Sequence, residues 1–307
     1  MDKNYFELRL KINPDMEDLI SEIFFENFDC EGIVLAEETY KDLEMVSTTE
    51  GTLRIFLKDD DSSTYEDMQY DIENILDLSR EEFLSRGLTE EELGSWDFEL
   101  EEKKSEDWSK KWKEKWDVTH VTERIAVVPD WIDYKAKSDE VIIKLEPGCA
   151  FGTGTHQTTQ LCMKALEKYM KSGDKVADIG MGSGILSILA KKLGASSVYG
   201  CDNDDTVIDV AKENAKKNGV ECFFELGTAD NVSDKFDFVC ANILHFVLAE
   251  IMGDLKNIMK TGALMSLSGI LEEKKQMVIE AYEKEGLELV EEIKQDQWTS
   301  FVVKRVD

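Results

Sequence analysis

Between Tyr5 and Ile12 the apolar residues Phe6, Leu8, Leu10 and Ile12 alternate with Glu7, Arg9 and Lys11, a period of two that predicts a half-buried strand. Pro14 then stands at the first turn of a new element, where its missing N–H costs nothing, and Met16, Leu19, Ile20, Ile23, Phe24 and Phe28 recur at helical spacing. Strand-like runs follow at Ile33–Ala36 and Leu53–Leu57, then a helix from about Tyr65 to Ser85 and a strand near Trp96 to Leu100. The order strand, helix, strand, strand, helix, strand predicts a ferredoxin-like α+β sandwich. Over 101–116 Trp108, Trp112 and Trp116 recur every four residues and share one face of a charged helix. That face either docks as a linker on a domain or offers a stripe to a partner.

From about Lys175 the pattern changes to alternating strands and helices. Strands are predicted at Val176–Ile179, Val198–Cys201, Cys222–Leu226, Phe236–Ala241 and Ala263–Ser268, and helices at Ile185–Leu193, Thr206–Asn218 and Leu244–Met259. Such alternation demands a mostly parallel, doubly wound α/β sheet with helices on both faces. The tail adds a helix from about Glu273 to Glu285 and two strands, Leu287–Ile293 and Thr299–Lys304. Their short link makes an antiparallel hairpin, so the sheet has seven strands.

A length of 307 residues supports two domains, and 42% hydrophobic residues with only three prolines argues for folded protein. The expected boundaries are 1–100 for an acidic recognition domain, 101–120 for the linker helix and 121–307 for the sheet domain. The apolar runs are too short to span a bilayer, and no apolar segment of a secretory leader follows Met1, so the expected address is cytoplasmic. Six cysteines without a C-x-x-C pair read as reduced core thiols, and with three histidines no metal site is expected. The net charge is −30, and residues 1–107 hold 33 Asp and Glu against 10 Lys and Arg. A field so concentrated repels nucleic acid and anionic membrane and steers a basic partner inward, although charge alone also serves solubility.

The candidate chemistry lies in the turns. Asp178-Ile179-Gly180-Met181-Gly182-Ser183-Gly184 joins the first strand of the sheet domain to its first helix. Glycines there let a ligand approach the backbone and the helix N-terminus. The spacing is G-x-G-x-G, whereas the dinucleotide fingerprint is G-x-G-x-x-G, which weakens a nicotinamide dehydrogenase reading. Asp178 can order this loop and face a ligand's charged amino end. Asp202, ending the second strand, can accept from both ribose hydroxyls of an adenosine, or cap the next helix together with Asp204 or Asp205. Asn242 follows the fourth strand, where its amide can orient a nitrogen nucleophile without a buried charge, or else cap the helix from Leu244. The stretch from Pro147 to Thr159 is no phosphate loop, because no G-K-[ST] follows, and reads as a flexible cover over a pocket.

Together, A-F-G-T-G-T-H-Q-T-T, D-I-G-M-G-S-G-I-L, G-C-D-N-D and A-N-I-L resemble the PrmA family of class I methyltransferases acting on a ribosomal protein. The resemblance covers nearly the whole chain and implies a Rossmann-like catalytic domain, a small recognition domain and a tryptophan-bearing linker. It implies S-adenosyl-L-methionine as cofactor, bound through Thr159, Gly180, Asp202 and Asn242, with Phe151 beside it; from the glycine turn itself Gly182 is expected to join them, and Asp178 too is an expected cofactor-binding residue. It further implies methylation of lysine side chains and the N-terminal α-amine of a ribosomal protein; the expected partner is a basic large-subunit protein, and the chain is expected to act as a monomer. Asn242 is the expected catalytic residue, with His156 as a proton acceptor. Gln157 stands where the family commonly has proline. A glutamine or nucleic-acid amino methyltransferase would show N-P-P-Y where this chain has Asn242-Ile243-Leu244-His245. A vestigial, non-catalytic adaptor would not keep the glycine, aspartate and asparagine positions intact.

Overall fold

The computed structural model describes residues 5–13, 16–28, 30–34, 40–41, 44–45, 51–58, 64–103, 117–145, 152 and 154–307. The chain divides into two units, Met1–Trp116 and Asp117–Asp307. The strand expected near Trp96 runs instead over Phe98–Lys103 and pairs with Tyr5–Ile12, so the first unit extends beyond residue 100. The strand Thr119–His120 pairs with Ile125–Pro129, so the second unit begins before residue 121. Trp108, Trp112 and Trp116, like Pro14 and Ala36, lie outside the described residues.

In the first unit four strands run antiparallel in the order Cys30–Val34, Gly51–Lys58, Tyr5–Ile12, Phe98–Lys103, with helices Glu17–Asn27 and Tyr65–Ser85 in the connections. This is the ferredoxin-like arrangement. Phe6, Leu8, Leu10 and Ile12 are buried, as their period requires, with Leu8 opposite both Ile55 and Leu100. Glu7 breaks the pattern: it is buried on the other face, where Arg9 and Arg54 donate to it at 3.0 and 2.9 Å. A buried carboxylate needs such partners to remain charged. Thr64 and Asp67 form a reciprocal cap that starts the long helix.

The second unit holds a seven-stranded sheet in the order Phe223–Leu226, Ser197–Asp202, Lys175–Ile179, Phe236–Asn242, Met259–Leu271, Trp298–Arg305, Leu287–Gln295. The first five are parallel; Trp298–Arg305 runs antiparallel to both its neighbours, so Leu287–Gln295 again runs in the direction of the five. Lys175–Ile179 is buried along nearly its full length, as a strand covered on both faces must be. One face packs Val176, Val198 and Phe238 against Leu166, Leu186, Leu189 and Ala211. The other packs Ala177, Val239 and Ala241 against Leu248, Met252, Leu255 and Tyr282. A three-stranded sheet, Thr119–His120, Ile125–Pro129 and Val141–Leu145, adds Ile125, Val127 and Ile143 to the first of these cores. Its strands are short and separated by polar turns, so the periodicity did not announce them. The described cysteines are buried or half-buried, and burial pushes the Cys162, Cys201 and Cys222 thiols up to about 12. No helix among the described residues is long and apolar enough to cross a membrane.

Met259–Leu271 outruns the expected Ala263–Ser268 because its far end pairs with Thr299 and Trp298 across an irregularity between Leu267 and Ile270. Gly269 sits in that irregularity at φ 84°, and a Cβ there would lie 2.3 Å from the Ile243 carbonyl oxygen. Neither backbone can yield cheaply. Gly269→Ala should therefore cost about 2–4 kcal/mol, read as a lower urea midpoint with unchanged m value.

Candidate functional site

Strand order reverses at Lys175–Ile179, whose neighbours are Ser197–Asp202 on one side and Phe236–Asn242 on the other. At such a switch point the loops diverge and leave a crevice beyond the carboxyl ends of the strands. The turn Gly180–Gly184 lies there. The N–H groups of Gly180 and Met181 both donate to the Cys201 carbonyl, at 2.9 and 3.1 Å, pinning the turn to the next strand's end. Gly180, Gly182 and Gly184 all have positive φ, and a Cβ on Gly180 would fall 2.4 Å from Ile243 Cγ2.

Asp202 Oδ2 accepts from the Gly182 N–H at 2.9 Å and Oδ1 from the Asp204 N–H at 3.2 Å. The carboxylate is thereby fixed in orientation, with lone pairs left for two further donors. Burial raises its pKa, and the two backbone N–H groups oppose that rise. Asp202 does not cap the next helix: Asp205 stands in the capping position without a side-chain bond, and Asp204 accepts from the Thr206 N–H at 2.8 Å and from its hydroxyl.

Asp178 is buried, and its Oδ2 accepts from the Ser187 N–H at 2.9 Å and hydroxyl at 2.8 Å, in the first turn of helix Ile185–Lys192. It does order the loop, by holding the helix that follows. Oδ1 has no hydrogen-bond partner among the described residues. Burial pushes its pKa up to about 7 against the Ser187 bonds, with the charge of Asp202 adding to the rise.

The stretch read as a flexible cover ends in a helix, Gln157–Tyr169, that the apolar pattern did not bring forward. Two glycines fasten its approach: Ser183 Oγ donates to the Gly152 carbonyl at 2.7 Å, and a Cβ on Gly154 would meet Val127 at 2.7 Å. His156 caps the helix. Its Nδ1 accepts from the Thr158 N–H at 3.3 Å and lies 2.7 Å from Thr158 Oγ1, while its ring meets Trp298 edge to face at 5.0 Å. Ser268 Oγ donates to the Thr158 carbonyl at 2.9 Å. Thr159 is fully buried, and its Oγ1 accepts from Asn242 Nδ2 at 3.3 Å.

In this contact the Thr159 hydroxyl acts as acceptor, and the amide nitrogen is the atom that faces it. With Nδ2 turned to Thr159, Oδ1 is the outward atom, and it has no partner among the described residues. Asn242 is not the cap of the next helix, which begins at His245 with Leu244 in the capping position and no side-chain bond. Thus Thr159, Asp178, Gly180, Gly182, Asp202 and Asn242 lie at or beside the carboxyl ends of neighbouring strands, whereas Phe151 lies outside the described residues. His156 Nδ1 is occupied as a cap. Sequence reasoning missed Ser183, Ser187, Ser268 and Gly269, which hold these groups in place. Only Gly269 carried a signal, a glycine inside a strand pattern.

The family model described as ribosomal protein L11 methyltransferase (PrmA) matches residues 4–306. The chain is similar to the ribosomal protein L11 methyltransferase of Caldicellulosiruptor bescii, with 35% identity over 98% of this chain and 99% of that one. It is similar to that of Dictyoglomus turgidum, with 34% identity over 99% of each. Among solved structures, the ribosomal protein L11 methylase of Lactobacillus delbrueckii subsp. bulgaricus superposes with a TM-score of 0.59 at 33% identity, covering 62% of this chain and 99% of that one.

Two predictions arise from this geometry. A carboxyl whose folded pKa lies above its unfolded value of ~3.9 holds a proton that the unfolded chain has lost. Its contribution to stability falls as pH rises from about 4 to about 7 and reaches a penalty on the order of 4 kcal/mol above that. Asp178→Asn should therefore raise the urea midpoint at pH 8 more than at pH 5 while weakening binding of a cationic ligand. The second concerns His156: as a cap it can be replaced by asparagine, and as a base it cannot. His156→Asn should keep most activity and His156→Ala lose about tenfold; equal losses in both would return the proton-acceptor role.

Proposed function

Since the chain belongs to the ribosomal protein L11 methyltransferase (PrmA) family, we propose that it transfers methyl groups from S-adenosyl-L-methionine to amines of that large-subunit ribosomal protein, on lysine side chains and the N-terminal α-amine. The observation that carries this reading is the Asn242 amide, fixed by Thr159 with its oxygen buried and unmatched next to the glycine turn. An unmatched buried acceptor costs about 1–3 kcal/mol and is kept where a ligand supplies the donor.

The residues fit the cofactor. Asp202 offers acceptors for ribose hydroxyls, the turn Gly180–Gly184 allows close approach, and Asp178 Oδ1 is a buried anionic acceptor for a cationic group. Thr159 holds Asn242, and Phe151 is proposed to lie beside the adenosyl group. When bound, the cofactor supplies an electrophilic methyl group on a sulfonium.

The chain's own task is to present a neutral amine. With a lysine pKa of ~10.4, deprotonation near pH 7.5 costs on the order of 4 kcal/mol; an α-amine near ~8 costs less than about 1. A carboxylate facing the nitrogen would hold its proton on, whereas the uncharged Asn242 oxygen orients an N–H without favouring the ammonium. Alignment of the lone pair with the methyl is then worth ~7 kcal/mol or more, so no dedicated base is required. The acidic first unit suits a basic protein substrate and disfavours nucleic acid, and the proposed setting is the cytoplasm.

Incubating purified large-subunit proteins with the enzyme and labelled cofactor should give mass increments of whole methyl groups on one protein. Asn242→Ala should slow that transfer at least tenfold, and undiminished turnover would remove Asn242 from the mechanism.

A further inference from the structure

In the first unit Phe98–Lys103 is the end strand of its sheet and pairs, among the described residues, only with Tyr5–Ile12. Backbone groups alternate along a strand, so the parity can be read from the bonds made. Asp97 O accepts from the Lys11 N–H at 2.8 Å, facing inward, and Leu100 O accepts from the Tyr65 hydroxyl at 2.9 Å, facing outward. Phe98 shares the parity of Leu100. Its N–H and C=O therefore face away from the sheet, toward a groove between this strand and helix Tyr65–Ser85.

The groove is concave and lies wholly within this unit. One part encloses about 530 Å³ between Tyr65, Gln69, Glu73, Phe98 and Glu99, and an adjoining 300 Å³ continues past Leu76, Asp77 and Asp97. Buried Trp96, Leu76 and Leu100 form an apolar floor, and exposed Glu73, Asp77, Asp97 and Glu99 form the walls. Arg80 is the cation of this lining, and it is spent within the unit on the Gly94 carbonyl at 2.9 Å and on Glu90. The walls thus present negative charge beside the outward N–H and C=O of Phe98, which have no backbone partner among the described residues.

An extended peptide meets such an edge through its main chain and is selected by the side chains along it. We propose that this groove docks an extended lysine- and arginine-rich segment of the protein substrate, lying along Phe98–Leu100 with its cations against Glu73, Asp77, Asp97 and Glu99. The inference rests on a basic protein being the substrate, and it localises what the overall charge leaves spread over the unit. A diffuse field accelerates encounter without choosing a surface; a groove with a strand edge chooses one.

The test compares two variants with equal charge change in the full-length enzyme. In the first, Glu73→Gln, Asp77→Asn, Asp97→Asn and Glu99→Gln neutralise the groove; in the second, Glu66→Gln, Asp71→Asn, Glu81→Gln and Glu91→Gln neutralise exposed carboxylates outside it. The groove variant should raise KM for the ribosomal protein at least about tenfold, with kcat and cofactor Kd unchanged, and the control should stay within about twofold. Equal rises in both, or no rise in the first, would overturn the proposal. Calorimetric titration with a decalysine peptide tests the groove without methylation: binding should be lost in the groove variant and kept in the control. Wild-type enzyme that binds decalysine but methylates no ribosomal protein would refute the proposed function and leave the groove standing, whereas methylation with no decalysine binding would refute the groove alone.

Discussion

The turn Asn242-Ile243 is held between two glycines, and the site depends on that fit. On one side a Cβ on Gly180 would strike the Ile243 side chain, and on the other a Cβ on Gly269 would strike the Ile243 backbone. The two contacts tie the ends of three neighbouring parallel strands, Lys175–Ile179, Phe236–Asn242 and Met259–Leu271, into one rigid lip. Asn242 can reach Thr159 because the lip brings it there, and Thr159 is in reach because His156 starts its helix at that height. Steric exclusion by backbone is stiff and short-ranged, so it sets geometry more firmly than any of the hydrogen bonds it supports.

The same crevice is costly to the folded chain. Asp178 is a carboxyl withdrawn from water with one oxygen satisfied by Ser187 and the other by nothing described, and Asn242 leaves an acceptor in the same condition. A ligand carrying donors and positive charge would relieve both deficits, and its binding would draw on free energy that folding left unrealised.

Charge is divided between the units as the chemistry requires. The first unit carries most of the negative excess, and its buried Glu7 shows how costly burial of that charge would be, since two arginines are needed for one carboxylate. Most of the other described acids of this unit are exposed. In the second unit, Asp178, Asp202 and Asp204 are each held by named donors near the carboxyl ends of the strands.

Much of the fold was legible in the sequence because burial imposes a period. The alternation from Phe6 to Ile12, the unbroken apolar strand at Val176–Ile179 and the glycine spacing from Gly180 to Gly184 each reflect a constraint confined to a few neighbouring residues. The first-unit helices, the alternation of strands and helices in the second, and the closing hairpin with its turn at Asp296 follow from the same local rules. Residue types also marked Asp178, Asp202, Asn242 and Thr159, partly through their likeness to a family. What tertiary structure alone decided were pairings that no local pattern announces: that Asn242 turns its nitrogen to Thr159, that His156 caps a helix, that Ser187 and not a loop amide holds Asp178, and that Asp204 rather than Asp202 accepts from Thr206. These depend on which strand ends become neighbours at the switch point. No local period encodes that adjacency, because it arises only when seven strands have been ordered into one sheet.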